Sequence, residues 1–157
     1  MPRLDAAARH RLPQPAPAAL AYTATSTGGI AMRWIDEVAH ACAMRWSGGD
    51  TVAVYSGGIH FFRPIRIGDL VELTARLIHT TEHSMHIAVH LRSGDPRSDE
   101  LQLATQCMTV FVAVGEDGVA EPVDRLEVRT AEDVRLRDHA VELIALRAAM
   151  PPVDVAV

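Results

Sequence analysis

The chain has 157 residues, enough for one domain with a full core and too few for two ordinary ones, and its 48% hydrophobic and 22% charged content belongs to a folded protein. A formal net charge of −5 supplies no overall basic field, which argues against a nucleic-acid partner. The sequence contains no Lys and no Asn, so Schiff-base chemistry, a pyridoxal anchor, the lysine of a phosphate-binding loop and any step that needs an Asn side chain are excluded.

Cys42 and Cys107 are the only cysteines, far apart and each in an apolar stretch. Reduced, buried thiols are therefore expected, not a disulfide framework or a cysteine-rich zinc site. No apolar run reaches the roughly 18 residues of a membrane span, and residues 1–17 do not read as a signal. A cytoplasmic location is the expectation.

In chain order, residues 1–17 read as a loose arm, because Pro13, Pro15 and Pro17 alternate with other residues and forbid a helix. Ala19 to Thr27 reads as a short strand leading into Gly28-Gly29. From Gly29 to about Trp46 the pattern is helical, with apolar residues at Ile30, Met32, Ile35, Val38, Ala39, Cys42, Ala43 and Trp46. Arg33, Asp36, Glu37 and His40 share one side of that helix. A helix this apolar is expected to be surrounded, not laid on a surface. Ser47-Gly48-Gly49 ends it.

The period then changes to two. Thr51 to Phe62 reads as a strand interrupted by Gly57-Gly58, where a bulge is expected. Val71, Leu73, Ala75 and Leu77 alternate with polar residues, as do Met85, Ile87, Val89 and Leu91, which predicts half-buried antiparallel strands. Gln102 to Val114 forms another strand, ending at the turn Gly115-Glu116-Asp117-Gly118. Thr130 to Met150 reads as an amphipathic helix whose Thr130 and Asp133 form a capping box, stopped by Pro151-Pro152. One sheet wrapped around one apolar helix, with a peripheral second helix, is the economical arrangement for so short a chain.

Four segments in this order carry a resemblance. They are Gly28 to Ala39 (GGIAMRWIDEVA), Phe62 to Asp69 (FRPIRIGD), His83-Ser84-Met85, and Phe111 to Val114 (FVAV). Together they resemble the hot-dog acyl-CoA thioesterases of the cytosolic acyl-CoA hydrolase type, over roughly Thr27 to Val123. The resemblance implies an α+β hot-dog fold, an antiparallel sheet wrapped on the long helix, with residues 18–129 as the thioesterase domain between the arm and a tail at 130–157. It also implies a homodimer joined sheet edge to sheet edge, often a hexamer built as a trimer of dimers, with active sites at the dimer interface. The acyl-CoA substrate then sits between the helix start of one subunit and a carboxylate on the partner's helix, here Asp36. Coenzyme A enters as part of the substrate, and no separate cofactor or metal is implied.

The residues suit that chemistry. A thioester carbonyl gains negative charge in the transition state, and a helix start offers unpaired N–H groups and about half an elementary charge. Gly28 and Gly29 carry no side chain to hold the carbonyl away. Asp36 admits two catalytic roles, general base toward water or nucleophile, and one structural role, pairing with His40 or Arg33. Glu37 is the expected partner of Arg33 and the reserve carboxylate. Many members of the family carry an Asn before the Gly-Gly; this chain has Ala21, Thr23, Thr25, Ser26 and Thr27 there, so a hydroxyl of Thr25, Ser26 or Thr27 is the candidate replacement.

Ser84 either caps a hairpin or lies beside bound CoA. Arg63 and Arg66 either hold CoA phosphates or belong to a solvated turn, and Asp69 is read as a turn former. His83, His86 and His90 are expected at exposed positions on the outer sheet. His86 and His90 would stand about 13–14 Å apart, too far to share one metal ion. Hydrolysis of acyl-CoA is the leading expectation; the alternative is a hot-dog module that binds acyl-CoA without hydrolysing it.

Overall fold

The computed structural model describes residues 7–12 and 28–154. Seven elements follow one another: β1 (Ala7–Leu12), α1 (Gly28–Ser47), β2 (Thr51–Phe61), β3 (Leu70–Thr80), β4 (Ser84–Gly94), β5 (Gln102–Ala113) and α2 (Ala131–Ala149). The five strands form one antiparallel sheet in the order β1-β3-β4-β5-β2. This is the α+β hot-dog arrangement that the four segments imply.

One correction falls at the start of the chain. Residues 7–12 are not part of a loose arm but a strand, paired from Ala7 opposite Arg76 to Leu12 opposite Val71. The prolines that forbid a helix flank this segment at Pro2 and Pro13, and none lies inside it, so the free edge of β3 can accept it. The strand read at Ala19 to Thr27 lies outside the described residues.

The period-two pattern sets the two faces of the sheet. Val71, Leu73, Ala75 and Leu77 of β3 and Met85, Ile87, Val89 and Leu91 of β4 are buried against α1. They meet Ala31, Ile35, Val38, Ala39, Cys42 and Ala43, the i, i+4, i+7 face of that helix. The opposite face of the sheet carries α2 over a smaller cluster of Ile78, Met108 and Ala140, flanked by Ala88, Leu136 and Leu143. A register shift between Leu77 and His79 turns Ile78 toward that second cluster.

The capping box forms as read. Thr130 accepts a hydrogen bond from the Asp133 N–H at 3.1 Å, and the Asp133 carboxylate accepts one from the Thr130 N–H at 2.9 Å. Asp133 also takes the Arg76 guanidinium at 2.7 Å, tying α2 to β3. Asp69 accepts from the Arg66 N–H at 3.0 Å beside Gly68, whose φ of 95° closes the turn. Cys42 and Cys107 are buried and form no disulfide with each other, and burial pushes the Cys107 thiol up to about 11.

Two open surfaces matter for the site. Strand β2 ends the sheet order, so its far edge pairs with no described strand, and it is bulged twice, between Ala53 and Tyr55 and between Gly57 and His60. Val52, Val54, Phe61 and the adjoining Phe62 are exposed there, Phe61 by 60%. Among the described residues helix α1 is not surrounded. The sheet covers one side only, and Arg33, Asp36, Glu37 and Met44 stand exposed on the other.

Candidate active site

Helix α1 begins at Gly28, and its first turn contains no carboxylate to neutralise the positive end. A Cβ added at Gly29 would meet nothing within 4 Å among the described residues. Packing among the described residues therefore does not demand a glycine at this position. The bare backbone leaves room for a carbonyl to approach the unpaired N–H groups. Gly28 shares that turn, whereas Thr27 lies outside the described residues.

Asp36 is exposed and makes no hydrogen bond or ion pair with any other described residue. Both structural roles open to it are taken elsewhere. The Arg33 Nε donates to Glu37 Oε1 at 2.9 Å, and the His40 ring stacks on Phe111 with centroids 5.6 Å apart. Glu37 is thus engaged in an exposed i, i+4 pair, while Asp36 is left for something outside the chain. At 1.5 Å rise per residue, Asp36 stands about 10 Å along the axis from Gly29. A carboxylate activating water must come within about 3 Å of it. One chain's helix start and its own Asp36 therefore cannot serve the same carbonyl directly.

The expected substrate-binding residues divide between two places. Arg63 and Arg66 come together in a cleft of about 620 Å³ with Gly68, Asp69, Asp95 and Arg97. There Arg63 donates to Gln102, and Arg97 is held by Asp95 at 3.0 Å, which keeps the Asp95 carboxyl well below the usual range, at about 2. Arg66 pairs with no carboxylate among the described residues.

Ser84 is elsewhere, in a cavity of about 350 Å³ between β2, β4, β5 and the last turns of α2. It does what the hairpin reading expects, since its hydroxyl lies 2.6 Å from that of Thr81 and its N–H donates to the same oxygen at 3.1 Å. Its other neighbour is His86, whose Nε2 is 3.1 Å from the Ser84 Oγ.

His86 corrects a second expectation. It is not an exposed outer position but 4% exposed, because α2 lies across that face of the sheet. Burial, helped by the nearby charges of His79 and Arg147, lowers it to about 4. The ring is neutral at pH 7, and its Nδ1 has no hydrogen-bond partner among the described residues. Burial likewise lowers His90 and His79. Sequence reasoning missed three other residues of this cavity, namely Tyr55, Met108 and Arg147. Arg147 sits in the last turn of α2, and nothing in the period of that helix announces which strand it faces.

Comparison with known proteins bears on the family and the fold. The family described as the thioesterase superfamily matches residues 27–100. A Bacillus subtilis protein described as an uncharacterized acyl-CoA thioester hydrolase is 30% identical over 118 residues, 75% of this chain and 69% of that protein. The chain belongs to the hot-dog acyl-CoA thioesterase family. A Salmonella typhimurium acyl-CoA thioester hydrolase is 31% identical to this thioesterase over 100 residues, 61% of this chain and 74% of that protein. An apo-hexameric acyl-CoA thioesterase superposes on it with a TM-score of 0.84 at 26% identity, covering 96% of this chain and 98% of that one. A mutant of the Staphylococcus aureus acyl-CoA hydrolase in complex with coenzyme A gives a TM-score of 0.84 at 22% identity, over 94% and 87% of the two chains.

Proposed function

We propose that this thioesterase hydrolyses acyl-CoA to a free carboxylic acid and coenzyme A, at sites shared between two subunits. The observation that carries the reading is the pairing, on one helix, of a start with no carboxylate in its first turn and no described neighbour over Gly29 with an exposed Asp36, unpartnered among the described residues, about 10 Å further along. A second copy of α1, running alongside, brings its Asp36 to the first copy's helix start. The open edge of β2, with Val52, Val54 and Phe61 exposed, is the surface across which such a dimer joins. Dimers of this kind assemble further into a hexamer.

In the reaction the helix-start N–H groups hold the thioester oxygen. Asp36 of the facing helix takes a proton from water as the oxygen of that water adds to the carbonyl carbon. Collapse of the tetrahedral oxyanion breaks the C–S bond, and the departing CoA sulfur takes up the proton. Direct attack by Asp36 to give an anhydride, then hydrolysed, is the other route. Thr27 supplies a hydroxyl beside the helix start, Ser84 lies beside the bound CoA, and Arg63 with Arg66 offers a second anionic contact. Glu37 keeps its pairing with Arg33. The reaction takes place in the cytoplasm and needs no cofactor beyond the coenzyme A that the substrate carries.

Thiol release from acyl-CoAs of short to long chain, by the native chain and by Asp36→Ala, tests the reading. Loss of one oriented catalytic group is expected to lower turnover by on the order of 10²- to 10⁴-fold. Full activity in Asp36→Ala overturns the assignment of the carboxylate. The absence of any Asn from the chain favours a second reading, a module that binds acyl-CoA without turnover. Acyl-CoA binding with no thiol release from the native chain decides for it.

A further inference from the structure

The cavity that holds Ser84 is closed on one side by a stack of three residues that no family motif includes. Tyr55 lies on β2 between its two register shifts. Gly57, two residues on, shares that face of the strand. A Cβ on Gly57 would run into the phenol, 2.7 Å from its Cε1 and closer still to the hydroxyl end. The φ of Gly57 is not positive, unlike that of Gly58 at 59°. Gly58 therefore answers to the backbone, whereas Gly57 answers to the ring that lies over it. The Arg147 guanidinium covers the ring, its Cζ 4.3 Å from the centroid.

Arg147 forms no ion pair with any described residue. A guanidinium held flat on an aromatic face by cation–π attraction still has its edge N–H donors free, and those donors match a phosphate. The Ser84 and Thr81 hydroxyls and the neutral His86 line the same cavity. No carboxylate lines it among the described residues. An anionic group is therefore the ligand this rim suits, and the apolar wall of Met108, Val110, Leu143 and Ile144 suits the uncharged remainder of a nucleotide better than water.

We propose that Tyr55, seated on Gly57, is a positioning residue that holds Arg147 for a phosphate of coenzyme A, so that this thioesterase selects CoA thioesters over thioesters that lack the nucleotide. The proposal rests on acyl-CoA hydrolysis as the reaction and adds the element that recognises the carrier. An Arg147–Tyr55 contact that merely docked α2 onto β2 would treat all thioesters alike, and this difference makes the two roles separable.

The test uses the full chain and two substrates with the same acyl group, one on coenzyme A and one on pantetheine, which has no phosphate. Arg147→Met and Tyr55→Ala are expected to raise KM for acyl-CoA about tenfold, the order of one charge-assisted hydrogen bond at a partly open site. The loss falls on KM, not kcat, and is confined to the substrate that carries phosphate. Gly57→Ala, which displaces the ring, is expected to reproduce Tyr55→Ala, and Tyr55→Phe, which keeps the ring face, restores the native KM. Equal losses on both substrates, or an unchanged KM for acyl-CoA in Arg147→Met, overturn the proposal. Should the native chain release thiol from neither substrate, hydrolysis fails as the function, and titration of coenzyme A into native and Arg147→Met protein then decides the point. Binding about tenfold weaker in the variant supports it, and equal binding refutes it.

Discussion

Replacing His86 by Leu changes how the stability of this protein depends on pH. The ring is 4% exposed under α2, with one nitrogen near Ser84 and the other unpartnered. Folding lowers its pKa from 6.5 to about 4, first through desolvation, then through the charges of His79 and Arg147. The unfolded chain therefore binds this proton more tightly than the folded one. Stability is full above pH 6.5 and is lost as the pH falls from 6.5 toward 4. At about 1.4 kcal/mol for each tenfold change in proton affinity, the loss attributable to His86 is about 3 kcal/mol. His79 and His90 are lowered by the same burial and act with the same sign, so the comparison must be a difference. Urea unfolding of the native chain and of His86→Leu at pH 7, 5.5 and 4, at one protein concentration because association shifts apparent stability, isolates the ring. The native chain is expected to lose about 3 kcal/mol more than the variant between pH 7 and pH 4. Parallel losses in the two proteins would refute the burial of a neutral His86 beneath α2.

Three further outcomes follow from the same geometry. Thr130→Ala removes the side-chain half of the capping box on α2, and is expected to cost about 1 kcal/mol in denaturant unfolding; an unchanged midpoint would mean that the cap is not formed in solution. Glu37→Gln breaks only an exposed i, i+4 pair with Arg33 and is expected to cost no more than about 0.5 kcal/mol while thiol release continues; collapse of activity would move the catalytic role from Asp36 to Glu37. Cys107, buried and with its thiol pushed up to about 11, is expected to resist a thiol reagent at pH 7 in the native state and to react fully in urea; fast native labelling would contradict the packing of β5 under α1.

Much of the fold is legible in the chain itself because its signals are local. The alternation of Val71 to Leu77 and Met85 to Leu91, the turn residues Gly68-Asp69 and the Thr130–Asp133 box each describe the few residues around them, and each forms. The departures arise where a distant part of the chain decides. Residues 7–12 are a strand only because β3 offers an unpaired edge, a partner 59 to 69 residues away. His86 sits on the polar side of a correct alternation, yet α2 crosses that side and buries it. The apolar width of α1 suggests a surrounded helix, whereas one sheet covers one face, and the remaining face is where Asp36 stands free. The site divides in the same way. Gly29 and Asp36 are singled out by the family resemblance, and the Arg33–Glu37 pair follows from spacing along one helix. The Tyr55–Arg147 stack joins β2 to the end of α2, and no period in either segment reveals it.

Everything proposed for the chemistry turns on whether Asp36 acts on the helix start of a partner subunit. Gly29→Val fills the space above the helix start, where no described residue lies within 4 Å, and Asp36→Ala removes the carboxylate, so each variant alone is expected to be inactive. Mixed after dissociation and allowed to reassociate, the two form dimers in which one site combines the intact Gly29 of the Asp36→Ala chain with the intact Asp36 of the Gly29→Val chain. Thiol release from acyl-CoA should then return to about a quarter of the native rate, since half of randomly paired dimers are mixed and each carries one whole site. A mixture as inactive as its components, from variants that each still form dimers, would contradict a shared site and return Asp36 to its own chain.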